Sequence, residues 1–325
     1  MYNNLQKYFS SLVFLIKILI VAGAYYVISD KLLNDSNFSS FLWMERIEIL
    51  GSTSLSFILL LLLFTLINWL LEVFKWKSLV SFVSHISFFQ AAKQSLASLT
   101  ASLLTPNRIG EYGAKAIYYT KEYRPKILML NFLGNAHQML VTILFGIVGL
   151  LILGGHFSLQ KFPVFPILAL VGIGLIILFV SLAIFQKKWI SGFGKIINNF
   201  LQIPFSIHKT TFLYASARYL IFSHQFYLFL LFFGVDLQYS IAMPIIVSMY
   251  LISSVIPGFV LFDWLVKGSV AVTLFRLVGV GDIIILSITA SMWILNFAFP
   301  AIIGSFYVLT FKSSTLVYSE SKLRS

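Results

Sequence analysis

The stretch SLSFILLLLLFTLINWLLEVFKW, Ser54–Trp76, decides the class of fold. It exceeds the roughly 20 apolar residues that a helix needs to cross the hydrocarbon core of a bilayer. Trp76 and Lys77 close it in the manner of an interfacial anchor. In lipid only helices and closed barrels satisfy their own backbone hydrogen bonds. The run shows no alternation of polar and apolar positions, so it reads as a transmembrane helix.

Working outward, the rest of the chain has the same character. Of its 325 residues, 59% are hydrophobic and 10% charged, with a mean hydropathy of +0.93. A soluble domain averages about 45–50% apolar and about 25% charged. Further full-length spans are predicted at Phe9–Ile28, Ile127–Leu153, Val164–Phe185, Thr211–Phe233 and Ile283–Leu309, making six. Ala22-Gly23-Ala24 would suit a signal-peptide cleavage site, but the preceding apolar run is long for one and reads as a span. The short loops leave no room for a soluble domain, so residues 1–325 read as a single transmembrane domain.

Two regions break this pattern. Residues 88–104 carry Gln90, Lys93, Gln94 and several Ser and Thr, stop at Thr105-Pro106-Asn107, and resume as a helix-like stretch from Glu111 to Tyr123. Residues 241–255 stop at Pro257-Gly258 and resume from about Leu261 to Val278. Each reads as a short helix, a turn and a second short helix.

Lys and Arg in short loops mark the cytoplasmic side. Lys75, Lys77 and Lys93 precede the first break, and Lys115, Lys121, Arg124 and Lys126 follow it. A full crossing would put one of these clusters outside, so the element is expected to enter and return on the cytoplasmic side. Asp236 and Asp282 flank the second element, which suits the outer face, whereas Lys187, Lys188, Lys195 and Lys209 mark another cytoplasmic loop. The expected fold is an all-α polytopic bundle of six spans and two re-entrant hairpins. Its halves, about 1–155 and 160–310, form an inverted repeat with both termini cytoplasmic. Paired broken segments of this kind point to a transporter's substrate site.

The broken segments also match in detail. Pro106 is followed by Glu111 and then Lys115; Pro257-Gly258 is followed by Asp263 and then Lys267. Each carboxylate precedes its lysine by four residues, the spacing that pairs side chains on one helix face. A half-helix beginning inside the bilayer leaves its first N–H groups unpaired, and with the helix dipole these favour an anion or a capping carboxylate. Arg108 lies just before the first half-helix, where a guanidinium can grip a phosphate or carboxylate. The candidate substrate-binding residues are therefore Pro106, Asn107, Arg108, Gly110, Glu111 and Lys115 in the first segment. Pro257, Gly258, Asp263 and Lys267 are their counterparts in the second, and Arg218 comes from the fifth span.

The run Pro106-Asn107-Arg108-Ile109-Gly110-Glu111, after a Ser-rich amphipathic segment, resembles the Pro-x-Arg-x-Gly-Glu signature of the flippase-like family that includes the transmembrane domain of lysylphosphatidylglycerol synthetases. Pro257-Gly258 is similar to that family's second Pro-Gly element, although Phe259, Val260 and Leu261 stand where the family has a glycine-rich run, and Asp263 where it has Glu. The resemblance implies movement of a lipid or lipid-linked molecule between leaflets of the bacterial inner membrane. No counterpart of the synthetases' soluble lysyl-transferring domain follows the last span in this sequence, so synthesis of an aminoacyl lipid is not expected of it.

Other polar residues lie inside the spans. Asn68 shares a face with Glu72, Asn131 shares one with Asn135, and Asn296 precedes Pro300. Glu72 and Arg218 could line a path, but Glu72 and Lys17 lie close enough to an interface for snorkelling to explain them. The Asn and His residues suit interhelical hydrogen bonding. The net charge of +12 sits beside the apolar spans, where the positive-inside rule and anionic lipid account for it, so no nucleic-acid partner is expected.

With no Cys, thiolate metal sites and cysteine nucleophiles are excluded, and no His-x-x-x-His spacing, Gly-x-Gly-x-x-Gly or phosphate-binding loop occurs. No metal, cofactor or enzymatic activity is expected. A flippase or scramblase for an anionic phospholipid or lipid-linked molecule is the favoured reading. An ion-coupled carrier of a small anion, an intramembrane lipid-modifying enzyme using Glu111 or Asp263 as base, and an assembly partner of an envelope-biosynthesis enzyme stay open, as does homo-oligomerisation.

Overall fold

The computed structural model describes residues 40–103, 105, 108–156, 202–255 and 263–311. Every regular element among the described residues is helical. These are α1 (Ser40–Leu50), α2 (Ser52–Val80), α3 (Phe88–Leu103), α4 (Ile109–Ala116), α5 (Arg124–His156), α6 (Phe205–Phe232), α7 (Tyr239–Val255) and α8 (Asp263–Phe275). A 3-10 turn (Arg276–Val278) follows α8, and the last rod joins α9 (Asp282–Trp293), a π-helical turn (Ile294–Ala298) and α10 (Phe299–Leu309).

Three rods, Ser52–Val80, Arg124–Gly155 and Asp282–Leu309, are long and apolar enough to cross a membrane. Leu55, Leu59, Leu63 and Leu66 of α2 and Phe132, Leu144, Val148 and Leu151 of α5 lie exposed. Such apolar stripes have no stable place in water and suit contact with acyl chains. The expected spans Ser54–Trp76, Ile127–Leu153 and Ile283–Leu309 coincide with these rods. Thr211–Phe233 falls on α6, which has the length but carries Arg218, His224 and Gln225 and is not among the three. The expected spans Phe9–Ile28 and Val164–Phe185 lie outside the described residues.

Both broken segments contain the expected pairs of short helices, with one boundary corrected. The second helix of the first pair ends at Ala116 rather than at Tyr123. Beyond it the chain turns, with the Tyr118 and Tyr119 amides donating to the carbonyls of Lys115 and Ala116. Helix α1 lies in what the sequence leaves as a loop. Its anchor is Trp43, whose ring lies 4.8–6.0 Å from those of Phe229, Phe232 and Phe233 and whose indole N–H donates to Ser291 Oγ at 3.2 Å.

Packing between the long and short helices recurs in the two halves of the chain. Helix α2 lies antiparallel to α6, since Glu72 meets Arg218 while Leu61 and Thr65 meet Gln225. Helix α3 lies antiparallel to α10 at a glycine contact: a Cβ on Gly304 would fall 2.2 Å from the Leu96 carbonyl oxygen. Thr100 Oγ1 donates to the Ala301 carbonyl at 2.8 Å beside it. Helix α7 meets α5 in the same way, where a Cβ on Gly149 would fall 2.8 Å from the Pro244 carbonyl oxygen. Small residues allow this close approach where lipid offers no hydrophobic driving force.

Candidate functional site

The site is organised by a polar stripe on the otherwise apolar α2. Thr65, Asn68, Glu72 and Lys75 are spaced by three and four residues, which keeps them on one face. All four are buried, and they cover about 15 Å of helix. Glu72 Oε2 accepts from Arg218 Nη1 of α6 at 2.6 Å and lies 2.6 Å from Lys75 Nζ. Arg218 Nε donates to Asn68 Oδ1 at 3.0 Å. Asn68 Nδ2 donates to Asn296 Oδ1 at 2.8 Å, Asn296 Nδ2 to Gln225 Oε1 at 2.9 Å, and Gln225 Nε2 to Thr65 Oγ1 at 2.8 Å.

Asn296 reaches into this chain from the π-helical turn. Four residues later Pro300 has no N–H for the Asn296 carbonyl and its ring crowds that oxygen. The carbonyl instead accepts from the Trp69 indole at 3.2 Å. A π turn of this kind is often found at functional sites.

Helix α4 brings a second set of charges to the upper end of the stripe. Arg108, at its N-cap, has φ 59° and ψ 26°, a left-handed conformation that costs a non-glycine residue about 1–2 kcal/mol. Gly110 lets α4 fold back on α3, because a Cβ there would fall 2.3 Å from the Ala101 carbonyl oxygen. Glu111 Oε1 then accepts from Lys115 Nζ at 2.8 Å, and Glu111 Oε2 lies 3.5 Å from Arg108 Nε.

Lys115, whose side chain is 2% exposed, also donates to Asn131 Oδ1 at 2.8 Å and lies 3.9 Å from Glu72 Oε1. Its ammonium sits 4.3 Å from the Trp76 ring centroid. Gln94 of α3 fixes that ring by accepting from both Trp76 Nε1, at 2.7 Å, and the Tyr119 hydroxyl, at 2.9 Å.

Arg108, Lys115, Lys75 and Arg218 thus share two carboxylates, Glu72 and Glu111, leaving a surplus of two positive charges in one connected cluster. Three buried polar atoms in the Arg108–Glu111–Lys115–Asn131 group have no hydrogen-bond partner: Arg108 Nε, Glu111 Oε2 and Asn131 Nδ2. The Arg108 side chain is 38% exposed, so the cluster is open at that end. Phe297 links it to α8. Arg108 Cζ lies 5.9 Å and Lys267 Nζ 5.6 Å from the Phe297 ring centroid.

Arg108, Glu111, Lys115 and Arg218 are therefore brought together by the fold, and Lys267 approaches them across one ring. Gly110 serves the closeness of the hairpin. Pro106, Asn107, Pro257 and Gly258 lie outside the described residues. Asp263 opens α8, but its side chain, and with it the expected Asp263–Lys267 pair, also lies outside them.

Two expectations are corrected. Two of the first-turn amides of α4 are not left open to an anion, since Gly110 N–H donates to Thr105 Oγ1 at 2.8 Å and Glu111 N–H to the Arg108 carbonyl at 3.0 Å. The Glu111 carboxylate faces Lys115 and Arg108 instead of capping. Glu72 does not snorkel to an interface either, because it is 8% exposed and held between Lys75 and Arg218. The sequence reading also missed Lys75, Trp76 and Gln94 as partners in the site. The three- and four-residue spacing from Thr65 to Lys75 was the available signal.

No family model, curated protein or solved structure matches the chain.

Proposed function

We propose that this protein moves an anionic phospholipid or lipid-linked molecule between leaflets, as a flippase or scramblase. The observation that carries the proposal is the connected cluster of four cations and two carboxylates, with its positive surplus and an opening at Arg108. Charged groups inside a membrane bundle are expensive and mark substrate pathways. In this reading Arg108 and Lys115 hold the headgroup while the acyl chains stay in lipid. The resemblance at Pro106–Glu111 to the flippase-like family points the same way.

The helix lengths support two re-entrant hairpins. Helices α3, α4, α7 and α8 are about 24, 12, 26 and 20 Å long, each short of the roughly 30 Å hydrocarbon core. The matched glycine contacts of α3 with α10 and of α7 with α5 support an inverted repeat within one transmembrane domain. That plan has six spans and both termini in the cytoplasm of a bacterial inner membrane. Without a nucleotide-binding loop, the driving force is a lipid gradient, an ion gradient or a partner.

The test is transfer of a fluorescent anionic phospholipid in proteoliposomes. Arg108→Ala and Arg218→Gln are each expected to slow transfer at least about tenfold, on the scale of one lost charged hydrogen bond. Unchanged transfer in both, with protein incorporation equal to the parent, overturns the assignment.

A further inference from the structure

The charge count of the cluster says more about the headgroup than that it is anionic. Every member is joined to the next at 2.6–3.9 Å, and Glu72, Glu111, Lys75 and Lys115 are buried. These four balance one another, so the two surplus charges sit on Arg108 and Arg218, whose side chains are 38% and 19% exposed and within reach of an incoming anion. A zwitterionic headgroup would leave both surplus charges in place, and a phosphodiester monoanion would leave one. A group carrying two negative charges on phosphate balances the cluster.

The two unsatisfied donors agree with this, whereas the third such atom, Glu111 Oε2, is an acceptor and takes no part. Arg108 Nε and Asn131 Nδ2 are buried donors without hydrogen-bond partners, and they flank the Glu111–Lys115 pair on its two sides. At 3.5 Å, Arg108 is held to Glu111 by charge rather than by a hydrogen bond, so it can turn to a new acceptor without losing one. Three terminal phosphate oxygens can accept from several such donors at once. We propose that the ligand presents a doubly charged phosphate to this cluster, a phosphomonoester or diphosphate, in preference to a phosphodiester or a zwitterion. The proposal rests on the anionic-headgroup reading and narrows it.

The test uses the full chain in a neutral detergent near pH 7, above the second phosphate ionisation at about 6. Dioctanoyl phosphatidic acid, phosphatidylglycerol and phosphatidylcholine are titrated in turn, read through tryptophan fluorescence because Trp76 lies against Lys115. Phosphatidic acid is expected to bind at least about tenfold more tightly than phosphatidylglycerol, the scale of one extra partly buried charge contact, with phosphatidylcholine weakest. Lys75→Gln, or Arg108→Gln at the open end should the first fail to fold, removes one positive charge and should narrow that gap to within about threefold.

Equal binding of phosphatidic acid and phosphatidylglycerol, both above phosphatidylcholine, overturns the doubly charged ligand and leaves the anionic reading standing. Binding of neither above phosphatidylcholine overturns both. Displacement of phosphatidic acid by millimolar glycerol 3-phosphate would support the doubly charged group and assign it to a soluble ligand. Failure to displace would support it as a lipid headgroup.

Discussion

Glu72 decides more of this site than any other single residue, because it is the carboxylate shared by Lys75, Arg218 and Lys115. Replacing it with Gln keeps the shape and leaves three neighbouring cations with Glu111 as their remaining counter-charge. Removing one partner of a buried ion pair costs about 3–5 kcal/mol. Glu72→Gln is expected to lower stability by that amount in a detergent-based thermal or denaturant assay, and a loss below about 1 kcal/mol would mean the cluster is well hydrated. Arg108 offers the opposite case. Its left-handed backbone is a conformation that glycine adopts freely, so Arg108→Gly should hold or raise stability by about 1 kcal/mol while lowering lipid transfer at least about tenfold. A variant that unfolds instead would show the guanidinium to be structural. The sequence made Arg108, Glu111 and Lys115 legible because a break, a carboxylate and a lysine fall in a short motif. It left Glu72 open between lining a path and snorkelling, and passed over Lys75, because both stand near the end of a long span, where snorkelling explains a charge equally well.

The hairpin α3–α4 holds those residues in place, and its geometry depends on glycine at one position and not at another. Gly110 would drive a Cβ to 2.3 Å from the Ala101 carbonyl oxygen, while a Cβ at Gly113 meets nothing within 4 Å. Gly110→Ala is therefore expected to destabilise by about 1–3 kcal/mol, the usual cost of overpacking, and to separate Glu111 from its partners. Gly113→Ala should be neutral or stabilise by up to about 1 kcal/mol, since alanine loses less entropy in a helix. Equal effects of the two, measured as melting temperature and transfer rate side by side, would contradict the packing of α4 on α3. Element boundaries were largely readable from the sequence, because Pro, Gly and clusters of Ser and Thr punctuate apolar runs. The early end of α4 was not. Its last turn gives way to a buried pair, Tyr118 and Tyr119, and the apolar pattern is the same in a helix or in packed turns. Helix α1 was hidden for a related reason, since its position is set by Trp43 against phenylalanines nearly 200 residues away.

For the molecule as a whole, the question is whether each hairpin returns to the side from which it enters. Helices α3 and α4 are too short to span singly, and the α3–α10 and α5–α7 contacts use glycine in equivalent ways. An inverted repeat accounts for both facts with one symmetry, and it requires Lys93, near the start of α3, and Lys121, beyond the end of α4, to face the same compartment. Asp236 and Asp282, on either side of the second hairpin, must face the opposite one. The chain has no cysteine, so Lys93→Cys, Lys121→Cys, Asp236→Cys and Asp282→Cys each give a single labelling site without further change. A membrane-impermeant maleimide applied to intact cells should label the two aspartate positions, and the two lysine positions should react only after the membrane is opened. Labelling of Lys93→Cys and Lys121→Cys from opposite sides would turn α3 and α4 into one interrupted crossing. The two halves would then lose their opposed orientation, and Arg108 would lie on a through-span rather than in a hairpin that returns to its own side.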